Sequence, residues 1–139
     1  MREDARSLGD TLTREHRRLD ELFGKFLAAA SAGDAEETRR AIGAFDSELR
    51  RHTAFEEERL LPEPSGHKLA PPEAERDDDR LFRELRLEHV QIREVSGMIL
   101  RQLTEKSDLS AARSLAANLA RRWDAHTARE ERELFARTR

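Results

Sequence analysis

The chain has 139 residues, 40% of them charged and 5% aromatic, with a formal net charge of −3, and its length suits a single domain over residues 1–139. It has no cysteine, which excludes disulfides, thiolate-bound metals and a cysteine nucleophile. Charges of both signs are interspersed and no apolar run approaches the roughly 20 residues that cross a bilayer, so we expect a cytoplasmic protein without nucleic-acid or membrane partners.

Helical periodicity of the apolar residues predicts four helices. Their predicted bounds are residues 8–32, 34–61, 73–106 and 109–137. Gly33 and Asp34 have the order of a C′ glycine and an N-cap between the first two helices, and Ser107 and Asp108 form the turn before the fourth. Residues 62–72, which hold all four prolines, form the longer connection. Such connections imply antiparallel neighbours, so we predict an all-α, up-down-up-down antiparallel four-helix bundle.

Every predicted helix has polar residues within its apolar stripe. They are His16 in the first helix, His52 and Glu56 in the second, His89 in the third, and His126 and Glu130 in the fourth. An unpaired buried carboxylate is very costly, and the lysines and arginines are predicted to lie on the outer faces. Because a bound cation would satisfy all six groups at once, the stripes predict a metal site.

The turn positions place the four histidines at one level of the bundle. In an antiparallel hairpin, two residues at equal distance from the turn lie at equal height. The midpoint between His16 and His52 falls on the first short turn, and the midpoint between His89 and His126 falls on the second. The midpoint between His52 and His89 falls within the proline-rich connection. All four imidazoles should therefore meet.

An internal repeat supports a two-fold arrangement. A His-x-x-x-Glu motif that begins at His52 recurs at His126, 74 residues later, and a Glu-His pair that ends at His16 recurs at His89, 73 residues later. Residues four apart lie on one face of a helix, about 6 Å apart along its axis. This spacing suits an imidazole on one ion and a carboxylate that bridges to a second. Imidazole and carboxylate donors suit iron or manganese, with zinc as a further candidate.

The order His, His-x-x-x-Glu, His, His-x-x-x-Glu over residues 8–137 resembles the hemerythrin-like family, also called the HHE cation-binding domain. The resemblance implies a hemerythrin-like bundle with two iron ions joined by an oxo or hydroxo bridge and by two glutamates. The implied metal ligands are His16 and His52 on one iron, His89 and His126 on the other, and Glu56 and Glu130 as bridges.

The sequence departs from the oxygen carriers of that family in two respects. Those proteins have a fifth histidine one turn from its partner on the third helix, whereas Leu85 and Arg93 flank His89 here. Their second carboxylate is an Asp at i+5, whereas this chain has Glu130 four residues after His126. Fewer protein nitrogens leave more positions for solvent or substrate, which favours sensing, iron handling or redox chemistry over reversible oxygen carriage.

We therefore expect a di-iron protein that binds dioxygen, peroxide or nitric oxide in sensing, binding or iron handling, and whose signalling output requires a protein partner. The alternative is a redox enzyme acting on peroxide or nitric oxide, although the sequence shows no electron path and predicts no catalytic residue. The third interpretation is a bundle with a purely structural metal, such as zinc, in a coordinatively closed site.

Polar residues near the predicted ligands have less specific roles. Four glutamates adjoin those ligands in sequence: Glu15, Glu57, Glu88 and Glu131. The two that precede a lone histidine are predicted on a helix flank, and the other two are either hydrogen-bonding neighbours or solvated. Asp20 lies one turn after His16, and we predict that it contacts a metal ligand at most and not the metal itself. His67, in the proline-rich connection, is predicted to be a solvated loop residue.

Overall fold

The computed structural model describes residues 5–61 and 77–135, which form four α-helices. They are α1 (Ala5–Ala32), α2 (Ala35–Arg59), α3 (Asp77–Glu105) and α4 (Leu109–Arg129), and α4 continues as a π-helical segment over Glu130–Leu134. Each helix packs against the next, and α4 packs against α1, which confirms the predicted antiparallel bundle. The proline-rich connection with His67, and the predicted helical residues 73–76 and 136–137, lie outside the described residues. None of the described helices has the length and apolar character needed to cross a bilayer.

The first short turn is closed by main-chain hydrogen bonds that require a left-handed residue. Gly33 has φ +78°. Its N–H donates to the carbonyl of Ala30 at 3.2 Å, and the N–H of Asp34 donates to the carbonyl of Ala29 at 3.1 Å, which is the Schellman pattern. The Asp34 side chain then caps α2 by accepting the N–H of Glu37 at 3.0 Å. Gly33 thus ends α1, and the next residue, Asp34, caps the start of α2.

The second short turn uses a serine where the first uses glycine. Ser107 has φ +49°, and the Asp108 side chain that follows it caps α4 by accepting the N–H of Ala111 at 2.9 Å. A side chain at positive φ brings Cβ too close to the backbone. Both turns nevertheless lie where the sequence predicts them, so the histidines of each hairpin come to the same height.

Two apolar layers enclose a polar one. The larger layer lies toward the two short turns and includes Phe26, Phe45, Leu119 and Trp123. The smaller layer lies at the opposite end and consists of Leu8, Leu12, Leu61, Leu81, Leu85, Leu134 and Phe135. Between them lie the four histidines and two glutamates of the predicted site, none more than 4% exposed. Water is therefore excluded from the polar layer on both sides.

The helical turn is wider than an α-helical turn directly after each of the two buried glutamates, Glu56 and Glu130. The N–H of Leu61 donates to the carbonyl of Glu56 at 3.0 Å, and the N–H of Phe135 donates to the carbonyl of Glu130. Both bonds run from i to i−5, as in a π-helix, and add one residue to the turn. As a result Leu61 and Phe135 are fully buried, whereas α-helical spacing predicts Leu60, which is only partly buried.

Candidate metal centre

The inner ring nitrogens of the histidines converge on two carboxylates. Glu56 Oε2 lies 3.2 Å from His52 Nε2 and 3.8 Å from His16 Nε2. The other oxygen of the same carboxylate, Oε1, lies 3.0 Å from His89 Nε2. Glu56 therefore presents one oxygen to each half of the site.

Glu130 spans the site in the same way. Its Oε1 lies 3.0 Å from His16 Nε2, and its Oε2 lies 3.1 Å from His89 Nε2 and 3.0 Å from His126 Nε2. The donor atoms form two groups, each within 4.8 Å: His16, His52, Glu56 and Glu130, and Glu56, His89, His126 and Glu130. Two groups that share both carboxylates suit a dinuclear metal site.

Several of these buried atoms lack a hydrogen bond within the described residues. They are Nε2 of His16, His52 and His126, both carboxylate oxygens of Glu56, and Oε1 of Glu130. A buried polar atom without a partner costs about 1–3 kcal/mol. A cation would satisfy these donors together, because all of them are lone-pair donors that face one small space. The residues present therefore fit a metal.

The outer ring nitrogen of each of the four site histidines meets a glutamate from another helical segment. The Nδ1–Oε distances are 2.6 Å for His52–Glu15, 2.8 Å for His89–Glu57, 2.7 Å for His126–Glu88 and 2.9 Å for His16–Glu131. The glutamates of α1, α2, α3 and the π-helical segment thus bind the histidines of α2, α3, α4 and α1, in cyclic order. A carboxylate on Nδ1 keeps the proton there, orients the ring and leaves Nε2 free to bind metal.

The roles of the four glutamates go beyond what the sequence predicted. Glu15 and Glu88 reach from their helix flanks to the histidine of the next helix, and Glu57 and Glu131 adopt the hydrogen-bonding alternative. The repeat contained the signal, since each glutamate recurs with the histidine it binds. Asp20 accepts the indole N–H of Trp123 at 2.7 Å.

Burial and hydrogen bonding act on the imidazoles in opposite directions. Burial lowers the pKa of His52, but the hydrogen bond to Glu15 and the Glu56 carboxylate, 3.2 Å from Nε2, outweigh it and raise that pKa to about 9. Burial likewise lowers the pKa of His89, and hydrogen bonds to carboxylates, that of Glu130 first, raise it to about 11. Without metal, His52 and His89 thus hold protons, and a metal ion must displace them.

Two arginines support the glutamates of the second half-site. Arg93 Nη1 donates to Glu57 Oε2 and to Thr53 Oγ1, both at 2.9 Å, and Arg129 Nη1 donates to Glu88 Oε2 at 2.7 Å. Arg93 occupies one of the two positions where an oxygen carrier could place its additional histidine. Here Arg93 binds the carboxylate of Glu57, which in turn binds His89. Arg93 therefore acts on the site through Glu57.

Two clefts lie against the outer faces of the site at equivalent positions of the repeat. The first has a volume of about 380 Å³ and is lined by Glu15, Leu19, Glu48, Arg51, His52 and Phe55. The second has a volume of about 290 Å³ and lies beside Glu88, His126 and Arg129. Solvent in these clefts reaches the glutamate–histidine pairs from outside, while the inner nitrogens stay enclosed.

An antiparallel helical bundle with two overlapping His/Glu groups in its core defines a cation-binding helical domain. Comparison with protein-family models matches residues 7–138 to the hemerythrin HHE cation binding domain. The chain therefore belongs to the hemerythrin HHE cation-binding family, as the motif order indicated. Neither the comparison with curated proteins nor that with solved structures finds a match.

Proposed function

We propose that the chain is a non-haem di-iron protein that binds dioxygen or a related small oxidant, in sensing, binding or iron handling. The proposed ligands are His16, His52, Glu56, His89, His126 and Glu130. The observation that carries the proposal is the position of the two carboxylates, since each presents one oxygen to each histidine pair. Carboxylates that span two cation positions are the bridging ligands a dinuclear centre requires. When bound, the irons would supply redox chemistry and positions for an external ligand.

The number of donors suits two different metals, a coordinatively closed zinc or an open iron centre. Each group offers four protein donors, two imidazole nitrogens and two carboxylate oxygens. Four donors close a tetrahedral zinc site, whereas six-coordinate iron would retain positions for a bridging oxygen and an external ligand. Elemental analysis after loading with both metals in competition distinguishes the two.

Burial supports a very small ligand. The six side chains are at most 4% exposed and lie between two apolar layers. A molecule of the size of dioxygen, peroxide or nitric oxide can pass between packed side chains, whereas a larger substrate would require the bundle to open. Exclusion of water also protects reactive intermediates from side reactions.

Iron loading of a Glu56→Gln chain tests the proposal. The wild-type chain, loaded in air, should bind about two irons and show oxo-to-iron charge-transfer bands. Glutamine at position 56 keeps the shape but removes one anionic oxygen, so the variant should bind at most one iron and lose those bands. Glu58 is exposed on the same helix, and Glu58→Gln is the matched control that should load normally. A folded wild-type chain that binds no iron would contradict the proposal.

The second candidate is a redox enzyme acting on peroxide or nitric oxide. The observation in its favour is an oxidisable side chain, Trp123, in ring contact with His16. The sequence alone indicated no such electron path. Sustained consumption of peroxide by the iron-loaded chain would favour the enzyme, and a stable oxygen adduct would favour binding or sensing.

A further inference from the structure

Trp123 contacts both halves of the candidate metal centre. Its side chain is 1% exposed, and the centroid of its indole lies 5.5 Å from that of the His16 ring and 6.4 Å from that of the His126 ring. His16 belongs to one histidine pair and His126 to the other. One aromatic side chain is therefore close enough to exchange an electron with either half.

The indole is hydrogen-bonded to a carboxylate that reaches the surface. Trp123 Nε1 donates its proton to Oδ1 of Asp20 at 2.7 Å, and Asp20 is exposed on α1. The indole N–H can only donate a hydrogen bond, and any acceptor, charged or neutral, would satisfy it in the folded chain. A carboxylate does more, because it can take the proton when the indole loses an electron and its N–H becomes far more acidic.

Composition makes Trp123 the principal candidate for oxidation. The chain has one tryptophan, no tyrosine and no cysteine, and these are the side chains most easily oxidised by one electron. The other aromatic neighbours of the site, Phe45 against Trp123 and Phe135 against His16, resist oxidation. An electron that leaves a side chain in this core therefore leaves Trp123.

We propose that Trp123 donates one electron to the metal centre during reaction with peroxide, and that Asp20 accepts the indole proton. The proposal rests on the proposed di-iron function. Peroxide takes up two electrons, one from Trp123 and one from the metal centre, and two protons from solvent, and becomes two waters. The N–H bond of Trp123 breaks, an O–H bond forms on Asp20, and a neutral indolyl radical remains. A one-electron reductant in solution then acts twice, once to restore the indole, to which Asp20 returns the proton, and once to return the electron taken from the metal centre.

Freeze-quench electron paramagnetic resonance tests this assignment. The iron-loaded full chain, labelled with ring-deuterated tryptophan, is mixed with hydrogen peroxide, and we expect an indolyl radical whose hyperfine pattern narrows with the label. Trp123→Phe should abolish the radical while two irons remain bound. Phe45→Leu, which alters packing against the same indole, should retain it. Asp20→Asn keeps an acceptor oxygen but cannot take the proton, so the radical should fall several-fold or retain an N–H coupling that disappears in deuterated water.

The outcomes separate this proposal from the proposed function. A wild-type chain that binds two irons and consumes peroxide without an indole radical overturns the role of Trp123 and leaves the metal centre standing. A chain that binds no iron overturns both. If Trp123→Phe fails to fold, voltammetry of the metal-free wild-type and Asp20→Asn chains still decides, because the variant should oxidise at a higher potential. Equal potentials would overturn the role of Asp20.

Discussion

Every buried histidine of the site uses both ring nitrogens, the inner one toward the cluster and the outer one toward a glutamate. The outer bonds, at 2.6–2.9 Å, are short and charge-assisted. A carboxylate in this position raises the basicity of the imidazole and restricts ring rotation. The glutamates therefore belong to the functional unit, although they would not touch a metal.

Removal of one outer carboxylate should weaken metal binding without removing a ligand. We expect Glu15→Gln to reduce metal affinity about 10–100-fold, because His52 loses its charged partner and becomes less basic. A competition titration with a coloured chelator measures this. Glu48 lines the same cleft but pairs with Arg18 at 3.7 Å, so Glu48→Gln is the matched control. An equal loss in both variants would contradict the role assigned to Glu15.

The raised histidine pKa values predict how the stability of the metal-free chain depends on pH. The pKa values of His52 and His89, about 9 and about 11 when folded, exceed the unfolded value of about 6.5. Their contribution to stability is therefore complete below about pH 6.5 and is lost as pH rises through about 9 to 11. Glu57 acts oppositely: its hydrogen bond to His89, against opposing burial, lowers its pKa to about 2, so its contribution is lost as pH falls toward that value.

The free energy of unfolding of the metal-free chain should thus be higher at pH 5.5 than at pH 8.5, which urea titrations at both values can measure. Bound metal should reverse the order, since the ion displaces the same protons and binds better as pH rises. A metal-free chain whose stability increases between these two values would show that the imidazoles do not hold the protons assigned to them.

At the scale of the elements, the two short turns need the same left-handed backbone conformation and place different residues in it. Gly33 and Ser107 both adopt positive φ before an aspartate cap. Glycine does so without steric cost, whereas serine does not. A Cβ at Gly33 would meet only Arg113 Nη2 at 3.9 Å, an ordinary contact, so the difference is one of backbone conformation.

Substitution of the two turn residues, each in its own variant, should therefore change the free energy of unfolding in opposite directions. We expect Ser107→Gly to raise the free energy of unfolding by about 1 kcal/mol, and Gly33→Ala to lower it by about 1 kcal/mol. Chemical denaturation of the two variants beside wild type measures both. Metal stoichiometry should stay unchanged, because neither residue touches the site. Destabilisation by Ser107→Gly would show that the Ser107 side chain contributes more than its strained backbone costs.

The widened turns after Glu56 and Glu130 show where periodicity fails as a predictor. A stripe extended at 3.6 residues per turn indicates Leu60, while the i→i−5 bond buries Leu61 instead. Nothing in the local residue types marks such a bond, because it depends on how the apolar layer below the site packs. The equivalent burial of Phe135 at the end of the second half was missed for the same reason.

At the scale of the whole molecule, the seam between α4 and α1 depends on side chains, because these helices are not consecutive in sequence. Arg113 Nε donates to the carbonyl of Ala30 at 2.8 Å near the short turns, and Trp123 donates to Asp20 at mid-height. Glu131 binds His16 at the level of the site. The contacts of Arg113 and Trp123 were not predictable from one sequence, since they join residues more than 80 positions apart with no shared motif.

The fold and the position of the six polar core residues followed from the sequence for a physical reason. Helical period, capping aspartates and turn positions determine height and facing within each hairpin, and the structure brings all six side chains together. The orientation of the carboxylates did not follow, because it depends on side-chain rotamers. The pairing of each outer nitrogen with a glutamate depends on the same packing. That the six residues bind iron remains the proposal stated above.

The cyclic order of the glutamate–histidine bonds gives the chain an internal two-fold symmetry. Glu57 of the first helix pair binds His89 of the second, and Glu131 of the second binds His16 of the first, so each half completes the other. Two identical copies of one helix pair, related by a two-fold axis, would satisfy every one of these bonds. Each helix pair is therefore shaped to complete a second copy of itself, and the two halves of the chain differ where Trp123, Arg93 and Arg129 correspond to Leu49, Asp20 and Phe55.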